Sequence, residues 1–195
     1  MERYQALIRK IELDYKDKGY KFIRSVGTHL YGSTPHKGKD TWHNEVFRPL
    51  KEDEIETLQA QVGMTIPAAL RELYLVADGL RLFSDELAVY GFRPQMGRSG
   101  DNVWQPYSLV EPNTLERPED ASADELFVGG YSFDGSLVKL NIKTGSVAAT
   151  RPRSAKEFAR WPNLAAFLDG EYSRLKGHFN GKLELIDQVR STLPG

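Results

Sequence analysis

Three of the four histidines lie close to carboxylates, so they are the first candidates for chemistry. His29, His36 and His43 fall within fifteen residues, near Asp40 and Glu45. A zinc site usually needs paired ligands, such as His-x-x-x-His on one helical face. Here the intervals are seven and seven, in a segment rich in glycine and proline, so the spacing does not place two ligands on one face. The pattern favours surface or loop histidines, and a metal-dependent hydrolase built on the cluster His29–Glu45 is the weakest function considered.

Other catalytic signatures are missing from the sequence. Cysteine does not occur, which excludes thiolate nucleophiles, disulfides and cysteine-based zinc sites. Neither a Gly-x-x-x-x-Gly-Lys-Ser/Thr phosphate loop nor a Gly-x-Ser-x-Gly elbow is present. Asp134 is a single carboxylate within Gly-x-x-x-Asp-Gly, a pattern that favours a turn between strands over a cation site. We therefore expect no catalytic residue, no bound metal, no cofactor and no enzyme activity.

An acidic segment, residues 111–135, is the candidate binding surface. Its seven acids against one base, Arg117, leave a charge of −6, whereas the whole chain carries −1. Acidic surfaces steer basic partners, and exposed aromatic residues anchor interfaces. A solvated loop is the alternative interpretation. The candidate partner-binding residues are Trp104, Tyr107, Glu111, Glu116, Glu119, Asp120, Asp124, Glu125 and Asp134.

The hydrophobic pattern predicts an α+β fold in which one antiparallel or mixed sheet, mostly from residues 87–150, is flanked by helices. A first helix follows the apolar residues from Tyr4 to Tyr15 and stops at Gly19. A capping box at Ser154–Glu157 predicts a turn before an apolar helix over 160–176. The remaining expected elements are a strand at 20–26, a loop at 27–40, strands at 87–92, 126–128, 137–142 and 146–150, an irregular segment at 93–124, and a last helix marked by Leu183, Ile186, Val189 and Leu193.

Two short amphipathic helices are expected between residues 54 and 80. Apolar residues recur at helical spacing in both halves, and Gly63 and Gly79 stand where left-handed residues would end each helix. Pro67 suits the start of the second helix, because its missing N–H costs nothing there. The residues assigned to this structural motif are Ile55, Leu58, Gly63, Pro67, Leu73, Asp78 and Gly79.

The order of these signals resembles the SUKH superfamily, which includes bacterial immunity proteins and fungal cell-wall-synthesis regulators. Four residue pairs stand where that family has Glu-Ile, Leu-Gly, Leu-Pro and Asn-Gly: they are Glu54-Ile55, Val62-Gly63, Ile66-Pro67 and Asp78-Gly79. Gln59, Leu70 and Leu80 depart from the family pattern. The later Gly130–Gly135 turn and the Phe167-Leu168 pair also match it.

The resemblance covers about residues 47–175 of a chain that we expect to form one domain, 1–195. The N-terminal helix and loop (1–46) and the C-terminal segment (178–195) would be additions. The resemblance implies a SUKH-like fold and an immunity protein that binds a toxin with a basic surface, possibly a nuclease. A regulatory scaffold of the fungal type is the alternative. Without a signal peptide, an apolar span or a strong net charge, we expect a cytoplasmic protein that binds neither membrane nor nucleic acid.

Overall fold

The computed structural model describes residues 1–94, 100–187 and 191–195. It is an α+β fold in which the described residues form four α-helices and nine strands, so the predicted α+β class is confirmed. The helices are α1 (Glu2–Tyr15), α2 (Glu52–Val62), α3 (Ala68–Tyr74) and α4 (Leu164–Lys176). The strands are β1 (Tyr20–Ile23), β2 (Thr28–Ser33), β3 (Trp42–Val46), β4 (Leu80–Leu82), β5 (Leu87–Val89), β6 (Glu125–Tyr131), β7 (Leu137–Asn141), β8 (Val147–Thr150) and β9 (Glu157–Trp161).

All nine strands form one antiparallel sheet in chain order, β1 to β9. Because paired residues of neighbouring strands share a face, the register defines two faces in the middle of the sheet. One face carries the apolar row Val46, Leu80, Val89, Val138 and Ala149. The opposite face carries the row Glu45, Arg81, Ala88, Gly130 and Leu137.

The helices cover the first of these faces, which we call the helix-covered face. Ile11 of α1, Ile55 and Leu58 of α2, and Leu73 of α3 are fully buried in the same apolar cluster as the sheet row. Fully burying an aliphatic side chain contributes about 1.5–3 kcal/mol, so this layer supplies most of the apolar stabilisation. Within the described residues, no helix is both long and apolar enough to cross a bilayer.

The first helix of the predicted pair is confirmed in detail, and the second is shorter than expected. α2 ends at Gly63, whose φ of 71° is the left-handed cap that the sequence indicates. Pro67 directly precedes α3. The expectation that Gly79 caps α3 is wrong, because the helix ends at Tyr74. Gly79 has a φ of 80° but lies directly before β4, and a Cβ there would overlap the carbonyl oxygen of Val89.

The sheet extends well beyond residues 87–150, because β1 to β4 join it from the N-terminal side. The loop predicted at 27–40 is wrong in its first half, which is strand β2, and β3 and β4 were not predicted. Glycine obscured the β2 signal. Gly32 adopts a φ of 72° within the strand, where a Cβ would press on Leu183 and on His43. The glycine is therefore required by close packing and does not end the strand.

Two predictions near the C-terminus are also wrong. The capping box at Ser154–Glu157 does not start a helical turn, because Glu157 begins strand β9. The Ser154 hydroxyl instead donates to the carboxylate of Asp120. The predicted last helix is not formed in residues 178–187 or 191–195, where Phe179 pairs with Leu185 in an isolated bridge. Val189, part of that prediction, lies outside the described residues.

The second face of the sheet is covered by irregular chain. The covering segment, residues 90–94 and 100–124, contains only two short 3-10 turns, which agrees with the irregular segment predicted there. Thr28 and Arg81 donate to the carbonyl oxygens of Trp104 and Val103. The Asn113 side chain joins the segment to β6, because it accepts from the Phe127 amide and donates to the Phe127 carbonyl, both at 2.8 Å. We call this side the loop-covered face.

Candidate partner-binding groove

An open groove lies between the covering segment and strands β5 to β7. It consists of three neighbouring depressions of about 760, 410 and 200 Å³ that share Tyr90 in their walls. The floor includes Ala88 and Leu137, which lie on the loop-covered face on either side of Gly130. A Cβ on Gly130 would lie 2.5 Å from the Tyr90 hydroxyl, so a larger residue there would displace the Tyr90 side chain. Ala88 and Gly130 thus keep this part of the floor low, and the Tyr90 side chain lies above it.

One wall of the groove brings together five of the residues that the sequence predicts to bind a partner. The five, which come from the covering segment, are Tyr107, Glu111, Glu116, Glu119 and Asp120. Glu116 and Glu119 are exposed and Tyr107 is 38% exposed, so their side chains face solvent. Asp120 is held in place, because it accepts hydrogen bonds from the Ser154 hydroxyl and the Ala155 amide, both at 2.7 Å.

Arg117 holds this wall against the sheet. Its guanidinium donates to the carbonyl oxygens of Ser122 and Glu125, at 2.6 and 2.9 Å, and lies over the ring of Phe127. Arg117, the single base of the acidic segment, therefore has a structural role. Its positive charge stays close to the acidic side chains of the same segment. Arg153 also lines the groove. Because Arg153 lies outside the acidic segment, its charge makes the groove less acidic than the −6 of the segment indicates.

The other four predicted binding residues lie elsewhere. Trp104 is half-buried and lines a separate cavity of about 160 Å³. Asp124 and Glu125 form ion pairs with Lys143 and Lys139, so their charges are compensated by residues outside the acidic segment. Asp134 lies in the turn between β6 and β7, where its carboxylate accepts from the Ser136 amide at 2.8 Å. Hence the −6 charge is spread over different surroundings and does not form one continuous patch.

A network of buried polar groups beside the groove was missed by sequence reasoning. Arg81 forms an ion pair with Glu45 and lies over the Tyr107 ring, whose hydroxyl donates to Asp85 at 2.5 Å. Burial raises the pKa of Glu45 to about 7, although Arg81 opposes the shift. Only the pairing of β3 with β4 places Glu45 opposite Arg81. Since neither strand was predicted, the sequence offered no usable signal for this pair.

Asp78, assigned above to the structural motif, is buried where α3 leads into β4. Its carboxylate accepts from the Phe92 amide at 2.7 Å, and its own amide donates to the Arg48 carbonyl. Burial raises the pKa of Asp78 to about 8, and the Phe92 hydrogen bond and Arg48 only partly oppose this. The carboxyl group thus ties the start of the covering segment to the helical layer.

The histidines near Asp40 and Glu45 do not form a cluster of metal ligands. His43 and His29 lie in strands, which corrects their interpretation as loop or surface residues. His29 stacks on Phe22 with ring centroids 4.6 Å apart. Among the described residues, no group of three or more histidine or carboxylate side chains is placed to hold a metal ion.

His43 and Ser84 form a contact that resembles a catalytic dyad. Their Nδ1 and Oγ atoms are 3.0 Å apart, and Ser84 has a positive φ of 58°. However, His43 is fully buried against the rings of Tyr15, Phe83 and Phe179. Burial lowers the pKa of His43 to about 3, because the apolar surroundings disfavour the imidazolium ion. This environment is unfavourable for a general base working near neutral pH.

Comparisons of the chain with protein-family models and with curated proteins found no match.

Proposed function

We propose that the chain is a non-enzymatic protein-binding module of the SUKH type, an immunity protein that neutralises a toxin with a basic surface. The observation that carries this proposal is the wall of the groove, where Tyr107, Glu116 and Glu119 are exposed side by side with an open depression. An open, acidic-walled groove matches a convex basic segment of a partner protein better than it matches a small molecule. Small-molecule sites usually enclose most of their ligand.

The acidic rim and the aromatic residue would have different roles in binding. Glu116 and Glu119 are exposed, so their charges would mainly raise the association rate by steering a basic partner. Tyr107 combines a large apolar ring with a hydroxyl group, and it would act as an anchor once the partner is bound. Trp104, which was an anchor candidate from the sequence, lines a different cavity. Covering a basic active-site cleft in this way would inhibit a nuclease sterically.

Two further lines of reasoning support the proposal. The SUKH-like residue pairs have structural roles consistent with the resemblance: Ile55 is buried in α2, Gly63 caps that helix, and Asp78 bonds to the backbone of Phe92. The poor environment of His43 for proton transfer favours binding over hydrolysis. Membership of the SUKH family, a single domain with a family-like core at about 47–175, and a cytoplasmic location remain part of the proposal.

The test is binding to the basic C-terminal domain encoded next to this protein's gene, if such a reading frame is present. We expect co-expression to yield a complex and surface plasmon resonance to give an association rate that falls with salt. The double variant Glu116→Lys/Glu119→Lys should slow association at low salt by about tenfold or more, and Tyr107→Ala should mainly raise the dissociation rate.

A matched control separates local steering from the effect of overall charge. The double variant Asp17→Lys/Glu56→Lys changes the net charge by the same amount. Both positions are exposed: Asp17 lies before β1, and Glu56 lies on α2. We expect its association rate to stay within about twofold of the wild-type rate. Equal slowing by both double variants, or no slowing by either, would contradict the assignment of the groove as the binding surface.

A further inference from the structure

Strand β1 forms one edge of the sheet. It is the first strand in the sheet order and, within the described residues, it pairs with β2 alone. The amide of Gly32 donates to the carbonyl oxygen of Gly19 at 2.9 Å, and the β1–β2 register continues from this pair. Because backbone bonds alternate sides along an antiparallel strand, the N–H and C=O groups of Tyr20 and Phe22 point away from β2. No described residue forms a hydrogen bond with these four outward groups.

The two edges of the sheet are protected differently. At the other edge, the register between β8 and β9 shifts between Ala149 and Thr150, and such a bulge hinders the addition of a further strand. β1 keeps four consecutive pairs with β2 without a shift. Its protection is Lys21, whose side chain is 47% exposed in the middle of the strand. A lysine there disfavours an apolar or basic neighbour, but a carboxylate directly opposite it would be favourable.

Two aromatic side chains of β1 are exposed beside this edge. Tyr20 is 43% exposed and Phe22 is 42% exposed. They lie on the same face as their partners in β2, Tyr31 and His29, and the Phe22 ring stacks on His29. Since His29 is opposite Val46, these rings continue the helix-covered face to a part that the helices leave partly exposed. Apolar side chains of an added strand would pack on this aromatic row.

The charges around β1 favour an acidic segment. Residues 16–27 contain four bases and one acid, which leaves +3. Lys16 is paired with Glu12 at 2.7 Å, whereas Lys21 makes only a long, exposed contact of 3.8 Å with Asp40. A second copy of the chain would bring the same positive charges against this edge, and like charges on facing strands repel. The bases are Lys16, Lys18, Lys21 and Arg24, and the acid is Asp17.

We propose that β1 is a docking edge for an extended acidic segment of another protein, which adds to the sheet as a further strand. The backbone of the segment bonds to the outward groups of Tyr20 and Phe22, and its apolar side chains lie on their rings. On the other face, a carboxylate of the segment meets Lys21. This interface goes beyond the proposed function, because the groove lies at β5 to β7 and takes a basic partner.

The test uses a synthetic strand, acetyl-Val-Thr-Val-Glu-Val-Thr-Val-amide, which is titrated into the ¹⁵N-labelled protein. Without the peptide, the amides of Tyr20 and Phe22 should exchange with solvent quickly, and that of Lys21 slowly, because only Lys21 is bonded to β2. We expect saturable binding with a Kd on the order of a millimolar or below. At saturation, exchange at Tyr20 and Phe22 should slow by about tenfold or more.

Methylated peptides test the backbone bonds directly. In the antiparallel register that places the glutamate opposite Lys21, the amides of the third and fifth peptide residues face β1. N-methylation of these two amides should abolish binding. The matched control carries N-methyl groups on the second and sixth residues, whose amides face away, and its affinity should stay within about twofold.

Charge variants test the contact with Lys21. A peptide with lysine in place of glutamate should bind at least about fivefold more weakly. Lys21→Glu should reverse this preference. Lys156→Glu makes the same change of charge at an exposed position just before β9, and it should leave the affinity for both peptides unchanged.

Two variants at Tyr20 separate the backbone from the ring. Tyr20→Ala and Tyr20→Pro both remove the ring, but only proline removes the outward N–H. Proline is tolerated at the first residue of an edge strand, and the ψ of 139° at Gly19 suits a residue before proline. Tyr20→Pro should bind the peptide at least about threefold more weakly than Tyr20→Ala. Equal urea midpoints would show that both variants are folded.

Several results would overturn the docking edge. They are no binding of the glutamate peptide, equal binding of the glutamate and lysine peptides, full binding after methylation of the third and fifth residues, or unchanged exchange at Tyr20 and Phe22. Slow exchange that depends on protein concentration and needs no peptide would identify a second copy as the occupant, and it would also overturn the proposal. The proposed function is tested separately, by the Glu116→Lys/Glu119→Lys variant.

Discussion

The two faces of the sheet are built from the same strands but have opposite characters. In β7, Val138 and Leu140 point to the helix-covered face and are fully buried among apolar side chains. Lys139 alternates with them on the loop-covered face, where it is buried between carboxylates. Helices fill their face with regular apolar rows. The irregular covering segment cannot do so, and it leaves a groove and buried polar groups.

The difference has a physical cause in the two kinds of covering chain. A helix presents a continuous apolar stripe, so the layer it forms excludes water along its whole length. An irregular segment must satisfy its own backbone groups through side chains such as Asn113 and Arg117. The space between those attachment points becomes the groove. We therefore expect substitutions on the helix-covered face to change stability, and those in the groove to change binding.

The largest effect should come from truncating a leucine on the helix-covered face. Leu140→Ala removes a fully buried side chain and should lower the free energy of unfolding by about 3–4 kcal/mol. Leu137→Ala, in the same strand but in the floor of the groove, should cost less than about 1 kcal/mol. Urea denaturation of both variants measures the difference. Equal losses would mean that the groove face is packed as tightly as the other face.

The next largest loss of stability should come from removing Lys139, the buried cation of the loop-covered face. Lys139 contacts Glu125 at 2.5 Å, Glu157 at 3.0 Å and the Ala155 carbonyl at 2.9 Å, and its side chain is only 7% exposed. Lys139→Met leaves Glu125 without its cation, whereas Glu157 keeps its ion pair with Arg160, so we expect a loss of about 3 kcal/mol at pH 7. Lys143→Met, an exposed control, should cost about 0–1 kcal/mol. A thermal melt showing equal stability of both variants would argue against a buried pair.

Two glycines with a positive φ, Gly79 and Gly63, allow the stability of the helical layer and of its junction with the sheet to be compared. Gly79→Ala places a Cβ against the Val89 carbonyl, so backbone strain and loss of β4–β5 pairing should together cost about 2–3 kcal/mol. Gly63→Ala introduces a similar φ strain, but no atom lies within 4 Å of its Cβ, and the cost should be about 1 kcal/mol. Chemical denaturation would show the order, and the reverse order would contradict the assigned roles.

The smallest expected effect is a pH-dependent change in the free energy of unfolding, caused by Glu54 on helix α2. Glu54 accepts from Arg48 and from the Lys51 amide, and these bonds lower its pKa from 4.5 to about 2. Ionised Glu54 therefore stabilises the fold above about pH 4.5, and this stabilisation is lost as the pH falls towards 2. Glu54→Gln should cost about 1–2 kcal/mol at pH 7, less than half of that at pH 3, and almost nothing below about pH 2. A constant difference between pH 7 and pH 3, measured by urea denaturation, would contradict this linkage.

Prediction from the sequence was most successful where regular periodicity and glycine acted together. α1, α2 and α4 follow apolar residues at helical spacing, and β6 and β7 flank an Asp-Gly turn. It failed for β2, β3 and β4. These strands are short or contain glycine, and β3 includes His43, Asn44 and Glu45, whose burial depends on partners from other strands. Such polar residues carry no local signal that they belong inside a sheet.

The candidate site shows the same division between local and distant information. The acidic composition and Tyr107 are visible in the sequence, and five of the nine predicted binding residues do line the groove. The pairing of Asp124 with Lys143 and of Glu125 with Lys139 joins residues 14 or more positions apart, so the sequence could not show which acids are compensated. The recess of the groove lined by Asp85 and Ser136 likewise depends on residues from two different hairpins, β4–β5 and β6–β7.

The sequence by itself determined the α+β composition, the capped helix α2 and the acidic, irregular segment, because these depend on the properties of neighbouring residues. Only the tertiary structure decided which acids remain exposed, that Gly79 serves strand pairing instead of a helix cap, and that Asp85 and Ser136 share one recess. The physical reason is that burial and pairing are set by strand register. Register brings together residues that are distant in the chain, and no local pattern of residue types specifies it.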